Sequence, residues 1–258
     1  MLNFFKKLLD WTENNDMQLN ASKTKEMILG PLAKSNPPLL TTKVGIIDRV
    51  TSFKLLGVHI DSTLTWVTHV NNIVKKVTSR LYFLKQLKRA GLSTSQLVHY
   101  YIAVIRPVLE YCVPAWHYAL TKAQTQQLEA LQKRAIHIIF SSFTRGMPYM
   151  SMLSVANLTT LASRRDEISI KFFAGITEPS SCLHHLLPAP KKQSVTSRMR
   201  SYEKLPRVFT RTKRYCSFLQ YALNHFQVKN LIHNHSPLIH FFILIYFNFF
   251  SVFRLNSF

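Results

Sequence analysis

Phosphoryl transfer by two metal ions needs at least two carboxylates side by side, because the ions must bridge the attacking and leaving oxygens. The aspartates of this chain are Asp10, Asp16, Asp48, Asp61 and Asp166, with no Asp-Asp pair and no Tyr-x-Asp-Asp turn among them. Asp61 follows a short apolar stretch and reads as a turn or N-cap residue rather than a ligand. For zinc, Cys182-Leu183-His184-His185 offers adjacent donors but lacks the second Cys-x-x-Cys or His-x-x-x-His half of a tetrahedral site, so both histidines read as loop residues. Cys112 falls on an apolar helix face and reads as a small buried residue, since a nucleophilic thiolate wants an electropositive, partly open setting. The six glycines form no phosphate-cradling loop, and no Gly-x-Ser-x-Gly elbow occurs. The pattern therefore assigns no catalytic residue, no metal ligand and no cofactor.

Cations make the stronger pattern. Lys75, Lys76, Arg80, Lys85, Lys88 and Arg89 take up much of the circumference of a helix whose inner face is Trp66, Val70, Ile73, Val74, Val77, Leu81, Leu84 and Leu87. Phosphate neutralisation needs many such charges but no strict spacing, so these six residues are the candidate contacts to a nucleic-acid backbone. Between Lys191 and Arg214, nine Lys or Arg stand against the single acid Glu203 without any burying periodicity, which reads as an extended basic arm. Tyr82, Phe83, Tyr100 and Trp116 are candidates for stacking on bases, but aromatics at helical spacing more often fill a core, and that reading is preferred.

The whole chain carries the same signal. Its 258 residues, 47% apolar, suffice for one large or two small domains with a real core. A formal charge of +21 attracts polyanions, which makes RNA or DNA, or an acidic membrane surface, the first partners to consider beside the plainer reading of an ordinary basic protein. The three cysteines, Cys112, Cys182 and Cys216, are odd in number and widely spaced, which describes a reducing compartment rather than a disulfide framework.

Periodicity places the elements. Leu2, Phe5, Leu8 and Leu9 predict an amphipathic helix rather than a signal peptide. Short strands are expected at Glu26 to Leu29, Val44 to Ile47 and Phe53 to Ile60, the last with Gly57 where a side chain would hinder close approach. Gly91 is expected to end the long basic helix, Ser93 to cap the next, Pro107 to kink or break it, and Thr121 to open a third with Leu128, Leu131, Ala135, Ile138 and Ile139 inward. Two shorter helices follow around LTTLASRRDEISIKFFAGI. Beyond residue 229 the composition turns to Phe, Ile, Leu and Asn. Pro237 to Phe253 approaches the length of a membrane span but is interrupted by His240, Asn248 and Ser251, and both an anchor and a tail without selected structure stand as readings.

Taken in order, WTENNDMQLNASKTKEM, FKLLGVHIDSTLTWVTHVNNIVKKV, LYFLKQLKRAGL, YYxxVIRPVLEYCVPAW and LEALQKRAIHII resemble the C-terminal half of a non-LTR (LINE-type) retrotransposon reverse transcriptase. The resemblance implies an α-rich α+β fold: a partial reverse-transcriptase palm with a short β-hairpin at 1–66, and a helical thumb bundle at 67–140. A helical extension at 141–190, the basic arm at 191–228 and an unselected apolar tail at 229–258 would follow. It implies Lys23 near an incoming nucleotide, Phe53, Leu56 and Gly57 as a primer-grip-like hairpin, and template–primer binding by the thumb. The family's Mg²⁺-binding aspartates would lie ahead of residue 1. The function expected on this ground is an RNA-directed DNA polymerase fragment, inactive alone, in a nuclear or cytoplasmic setting. The alternatives are a non-enzymatic nucleic-acid-binding protein and a membrane-associated one.

Overall fold

The protein is an α-rich α+β chain, described here from a computed structural model at residues 2–30, 36–42, 45–140, 144–190, 205–206 and 218–226. It divides into two compact units, Met1–Leu64 and Thr65–Phe258, considered separately. The basic arm lies outside the described residues except at 205–206 and 218–226, and the 229–258 tail with its 237–253 segment lies wholly outside them. Among the described residues no helix is long and apolar enough to cross a membrane.

In the first unit, α1 (Leu2–Asn14) forms where the apolar spacing places it. The strands are shorter and more numerous than expected. β1 (Lys25–Glu26) pairs in parallel with β4 (Asp48–Arg49), and β2 (Thr41–Thr42) pairs antiparallel with β3 (Gly45–Ile46). The β1–β4 register is set by charge: Lys25 Nζ lies 2.6 Å from Asp48 Oδ2, and Arg49 Nε lies 2.9 Å from Glu26 Oε2. Met27 and Ile28 are buried beyond that ladder, so of the expected strand at 26–29 only Glu26 pairs and the next two residues contribute apolar contact.

The stretch from Phe53 to Ile60 is not one strand but a hairpin, β5 (Ser52–Leu55) against β6 (Val58–Asp61). Leu56 and Gly57, at φ 46° and 87°, make the two-residue turn in the left-handed region that matches strand twist. Glycine suits that turn by its backbone freedom. Val58 and Ile60 are buried while Phe53 and Leu56 face out. Asp61 Oδ1 then accepts from the Thr63 amide at 3.1 Å and the Thr63 hydroxyl at 2.5 Å, closing an Asx turn instead of capping the following helix.

The second unit opens at Trp66, a left-handed residue (φ 62°) whose indole is buried against the His69 ring, itself edge-on to Trp116. α2 (Val67–Arg89) runs for 23 residues and buries Val70, Ile73, Val77, Leu81 and Leu84. Gly91, at φ 84°, turns the chain out of it. Ser93 caps α3 (Thr94–Tyr100) and Thr121 caps α6 (Lys122–Ile139). Both form reciprocal boxes, with Gln96 and Gln124, as Ser-x-x-Gln and Thr-x-x-Gln spacing dictates.

Pro107 does not break its helix. α3 passes through a widened π turn at Tyr101–Ile105 into α4 (Arg106–Glu110), which absorbs the missing amide and the bulk of the proline ring. With the wider turn, Leu97, Tyr101, Ile105 and Leu109 are buried, while Val104 and Val108 are half-buried. On α6 the expected face is buried at Leu128, Leu131, Ala135 and Ile139, with Ile136 buried as well and Ile138 only half-buried. Two further helices, α5 (Val113–Trp116) and α7 (Tyr149–Val155), are short, and α8 (Leu161–Thr177) is long. Within the stretch assigned to the arm, α9 (Phe218–His225) lays Phe218 and Ala222 against Phe172, Phe173 and Tyr118.

Buried polar groups tie these helices together. Tyr101 in the π turn donates to Gln132 Oε1 at 2.5 Å, and Gln132 Nε2 donates to the Tyr149 hydroxyl and the Thr159 carbonyl. Tyr149 donates to Glu129 Oε2 at 2.7 Å, and the same carboxylate accepts the Leu161 and Ala162 amides that open α8. Arg164 grips Glu110 with two nitrogens, at 3.0 and 3.2 Å. Its neighbour Arg165 is fully buried over the Trp116 ring, and its Nε donates to His117 Nδ1, which leaves the His117 proton on Nε2, toward Asp166. Burial pulls the Arg165 pKa down, and Glu129, Asp166 and Glu110 oppose that pull.

Glu129→Ala strips partners from two helix-opening amides and a half-buried phenol, and should lower unfolding free energy by about 2–4 kcal/mol, read from denaturant midpoints. Burial raises the Tyr101, Tyr118 and Tyr149 phenols above their ordinary value of 10.0, and pushes the Cys112 thiol from 9.0 up to about 12. Folding therefore retains protons that the unfolded chain releases above those ordinary values. Stability should be undiminished by these groups through neutral pH and fall steadily as pH climbs past 9 to 10, measurable as a declining thermal midpoint.

Candidate nucleic-acid interface

The buried face of α2 dictates what its other face can carry. With Val70, Ile73, Val77, Leu81 and Leu84 inward, a 3.6-residue repeat turns Lys75, Lys76, Lys85 and Arg89 to solvent, and all four are exposed. None of the four has an ion pair among the described residues. Their charge is available to a polyanion.

Two of the six expected contacts are used internally. Arg80 donates through Nη1 to the Val104 carbonyl inside the π turn. Lys88 Nζ donates to the Ile138 and Ile139 carbonyls, at 2.6 and 3.0 Å, where α6 ends and its unpaired carbonyls concentrate negative potential. Periodicity reports that a residue faces outward along its own helix, but not that a neighbouring helix end comes within its reach.

The core reading of the aromatics is half right. Trp116 is fully buried, but Tyr82 and Phe83 are 60% and 54% exposed, with ring centroids 5.8 Å apart and edge-on. Tyr82 lies seven residues from both Lys75 and Arg89, on their side of the helix, and Phe83 lies seven from Lys76. Two open aromatic rings therefore sit among the free cations.

At the far end of α2, Lys85, Lys88 and Arg89 meet Arg134 and Ile138 of α6 around an open depression of about 490 Å³. Arg134 was missed in the sequence. Its only signal is a place four residues before Ile138 near the end of α6, which acquires meaning once α6 is known to finish beside Lys88. The remaining candidates belong to the first unit. Lys23 is exposed in a turn whose amide bonds Asn20 Oδ1 at 3.1 Å, and Phe53, Leu56 and Gly57 form the β5–β6 hairpin.

Other polar groups take local partners. His184 Nδ1 lies 3.2 Å from the Ile176 carbonyl and His185 Nδ1 lies 2.7 Å from the Cys182 carbonyl. Among the described residues no three His, Cys, Asp or Glu side chains converge to hold a metal ion. Cys112 is buried, with its thiol held protonated.

Fold and site together describe a helical unit with a basic, aromatic-bearing outer face. Residues 66–106 of it match the family model described as "Alkylated DNA repair protein alkB homolog 8, N-terminal". The match begins at Trp66, takes in α2, α3 and the π turn, and ends at Arg106, under a fifth of the chain. No curated protein and no solved structure matches.

This finding overturns the reverse-transcriptase reading: the stretch expected to begin a retrotransposon thumb matches a different family. The polymerase-fragment function and the palm and thumb identities fall with it. The motifs that suggested them have local physical causes. FKLLGVHI spells a hairpin with a left-handed turn, and LYFLKQLKRAGL spells an amphipathic basic helix ending at glycine.

The split among the α2 cations has a measurable consequence. Lys88→Met should cost about 1–2 kcal/mol of stability by orphaning the α6 carbonyls, whereas Lys85→Ala and Arg89→Ala should each stay within about 0.5 kcal/mol in the same thermal unfolding assay.

Proposed function

We propose that the helical unit is a non-enzymatic binding module for single-stranded nucleic acid, RNA or DNA, and that the outer face of α2 is its contact surface. Lys75, Lys76, Lys85 and Arg89 neutralise successive phosphates, and Tyr82 and Phe83 offer ring faces to unpaired bases. The observation that carries this reading is the exposure of both rings between cations that no acid neutralises among the described residues. Two large rings exposed side by side make an apolar patch of the kind that marks a contact surface. A duplex would use the charges but hide its bases from the rings, which favours single strands.

Two further facts support the reading. The net charge of +21 raises the local concentration of any polyanion. The 66–106 match, whose description names a protein of alkylated-DNA repair, falls on the same helix that carries the rings and cations.

Fluorescence anisotropy with a short labelled single strand, across a salt series, tests it. Affinity should fall linearly in log–log form, and a Lys75/Lys76/Lys85 triple alanine variant should show a shallower slope. Tyr82→Ala with Phe83→Ala should weaken binding by roughly tenfold or more at unchanged slope, since a stacked base is worth about 1–3 kcal/mol. Salt-independent binding, or duplex bound as well as single strand with no effect of removing the rings, would overturn the proposal.

A further inference from the structure

The depression between α2 and α6 has a composition that the outer face of α2 does not explain. Its lining is Lys85, Lys88, Arg89, Arg134 and Ile138, with four cations, one aliphatic residue and no acid. The cations come from two helices. Lys85, Lys88 and Arg89 are neighbours at i, i+3 and i+4 on α2, and Arg134 reaches in from α6. Assembling like charges around one hollow is unfavourable without an anion to share.

One wall is built to stay in place. Lys88 is fixed by its two bonds to the Ile138 and Ile139 carbonyls, which also join the end of α2 to the end of α6. Those carbonyls offset part of the Lys88 charge, so the attraction for an anion comes chiefly from Lys85, Arg89 and Arg134. None of these three has a carboxylate at ion-pair distance among the described residues. The two guanidinium groups, on different helices, supply forked donors suited to phosphate oxygens.

We infer that this depression is a specific phosphate site that takes two linked phosphates, with Arg134 as its ligand from the second helix. The open depression, about 490 Å³, has room for a pair of phosphates, and its cations come from two helices. The linked phosphates come either from a free diphosphate or from adjacent positions of a nucleic-acid backbone. In the second case the site deepens the proposed function and rests on it, by anchoring the strand whose bases meet Tyr82 and Phe83. Contact with Arg134 then sets where the strand leaves α2.

Pyrophosphate is the probe, titrated calorimetrically into the full chain at low salt with sulfate at matched ionic strength as the control. Wild type should bind pyrophosphate at one site and more tightly than sulfate. Arg134→Ala, an exposed position that leaves the core intact, should weaken binding by about tenfold, the scale of one charge-assisted contact. Tyr82→Ala with Phe83→Ala should leave it unchanged. Equal weak heats from both anions, or no effect of Arg134→Ala, would overturn the inference.

A labelled single strand separates the sources and the two claims. Displacement of the strand by pyrophosphate supports backbone phosphates as the ligand. Pyrophosphate binding with no strand binding supports the site with a free diphosphate as ligand, while the α2 reading falls. Strand binding that is indifferent to both Arg134→Ala and pyrophosphate keeps the α2 reading and overturns this one.

Discussion

Glu129 projects from α6 onto the two orphan amides that begin α8 and onto the Tyr149 hydroxyl of α7, so one carboxylate fixes three helices. Gln132, one turn further along α6, reaches Tyr101 in the π turn and the Thr159 carbonyl ahead of α8. A helix anchored on both sides by saturated buried polar groups has little freedom to roll or slide, because any shift would leave a desolvated donor or acceptor unpaired. The position of α6 in turn decides where its C-terminal carbonyls lie. They lie under Lys88, and Arg134 therefore stands beside Lys85 and Arg89.

That arrangement divides one basic helix into two kinds of cation. Arg80 and Lys88 are spent on backbone carbonyls of neighbouring segments, where they satisfy groups that secondary structure leaves open. Lys75, Lys76, Lys85 and Arg89 have no such partners among the described residues and face water. The division follows from sequence position relative to the hydrophobic stripe and from which helix ends come within reach. Charge alone does not distinguish the two groups, yet only the second is available for binding.

Much of this was legible in the residues. The two capping boxes, the Gly91 stop and the inner face of α2 follow from spacing alone, because each is a contact between residues three or four apart. The elements that were misread depend on longer-range partners. The widened turn before Pro107 moves the buried positions to Ile105 and Leu109, which no regular 3.6 pattern anticipates. Glu129, Arg165 and Arg134 gained their roles only through helices that sequence order does not place side by side. Tyr82 and Phe83 were misjudged because periodicity favoured a core that α2 fills without them. The family resemblance failed for a related reason, as hairpin and amphipathic-helix patterns recur wherever the same local physics applies.

Central to this account is a nucleic-acid strand lying along the outer face of α2 and reaching Arg134 where α6 ends beside it. Mass-spectrometric lysine acetylation, with and without a saturating single strand, reads this directly. Lys75, Lys76 and Lys85 should lose most of their reactivity on binding, while exposed Lys122 and Lys171 should keep theirs. Equal protection at all five positions, or protection confined to Lys122 and Lys171, would contradict it.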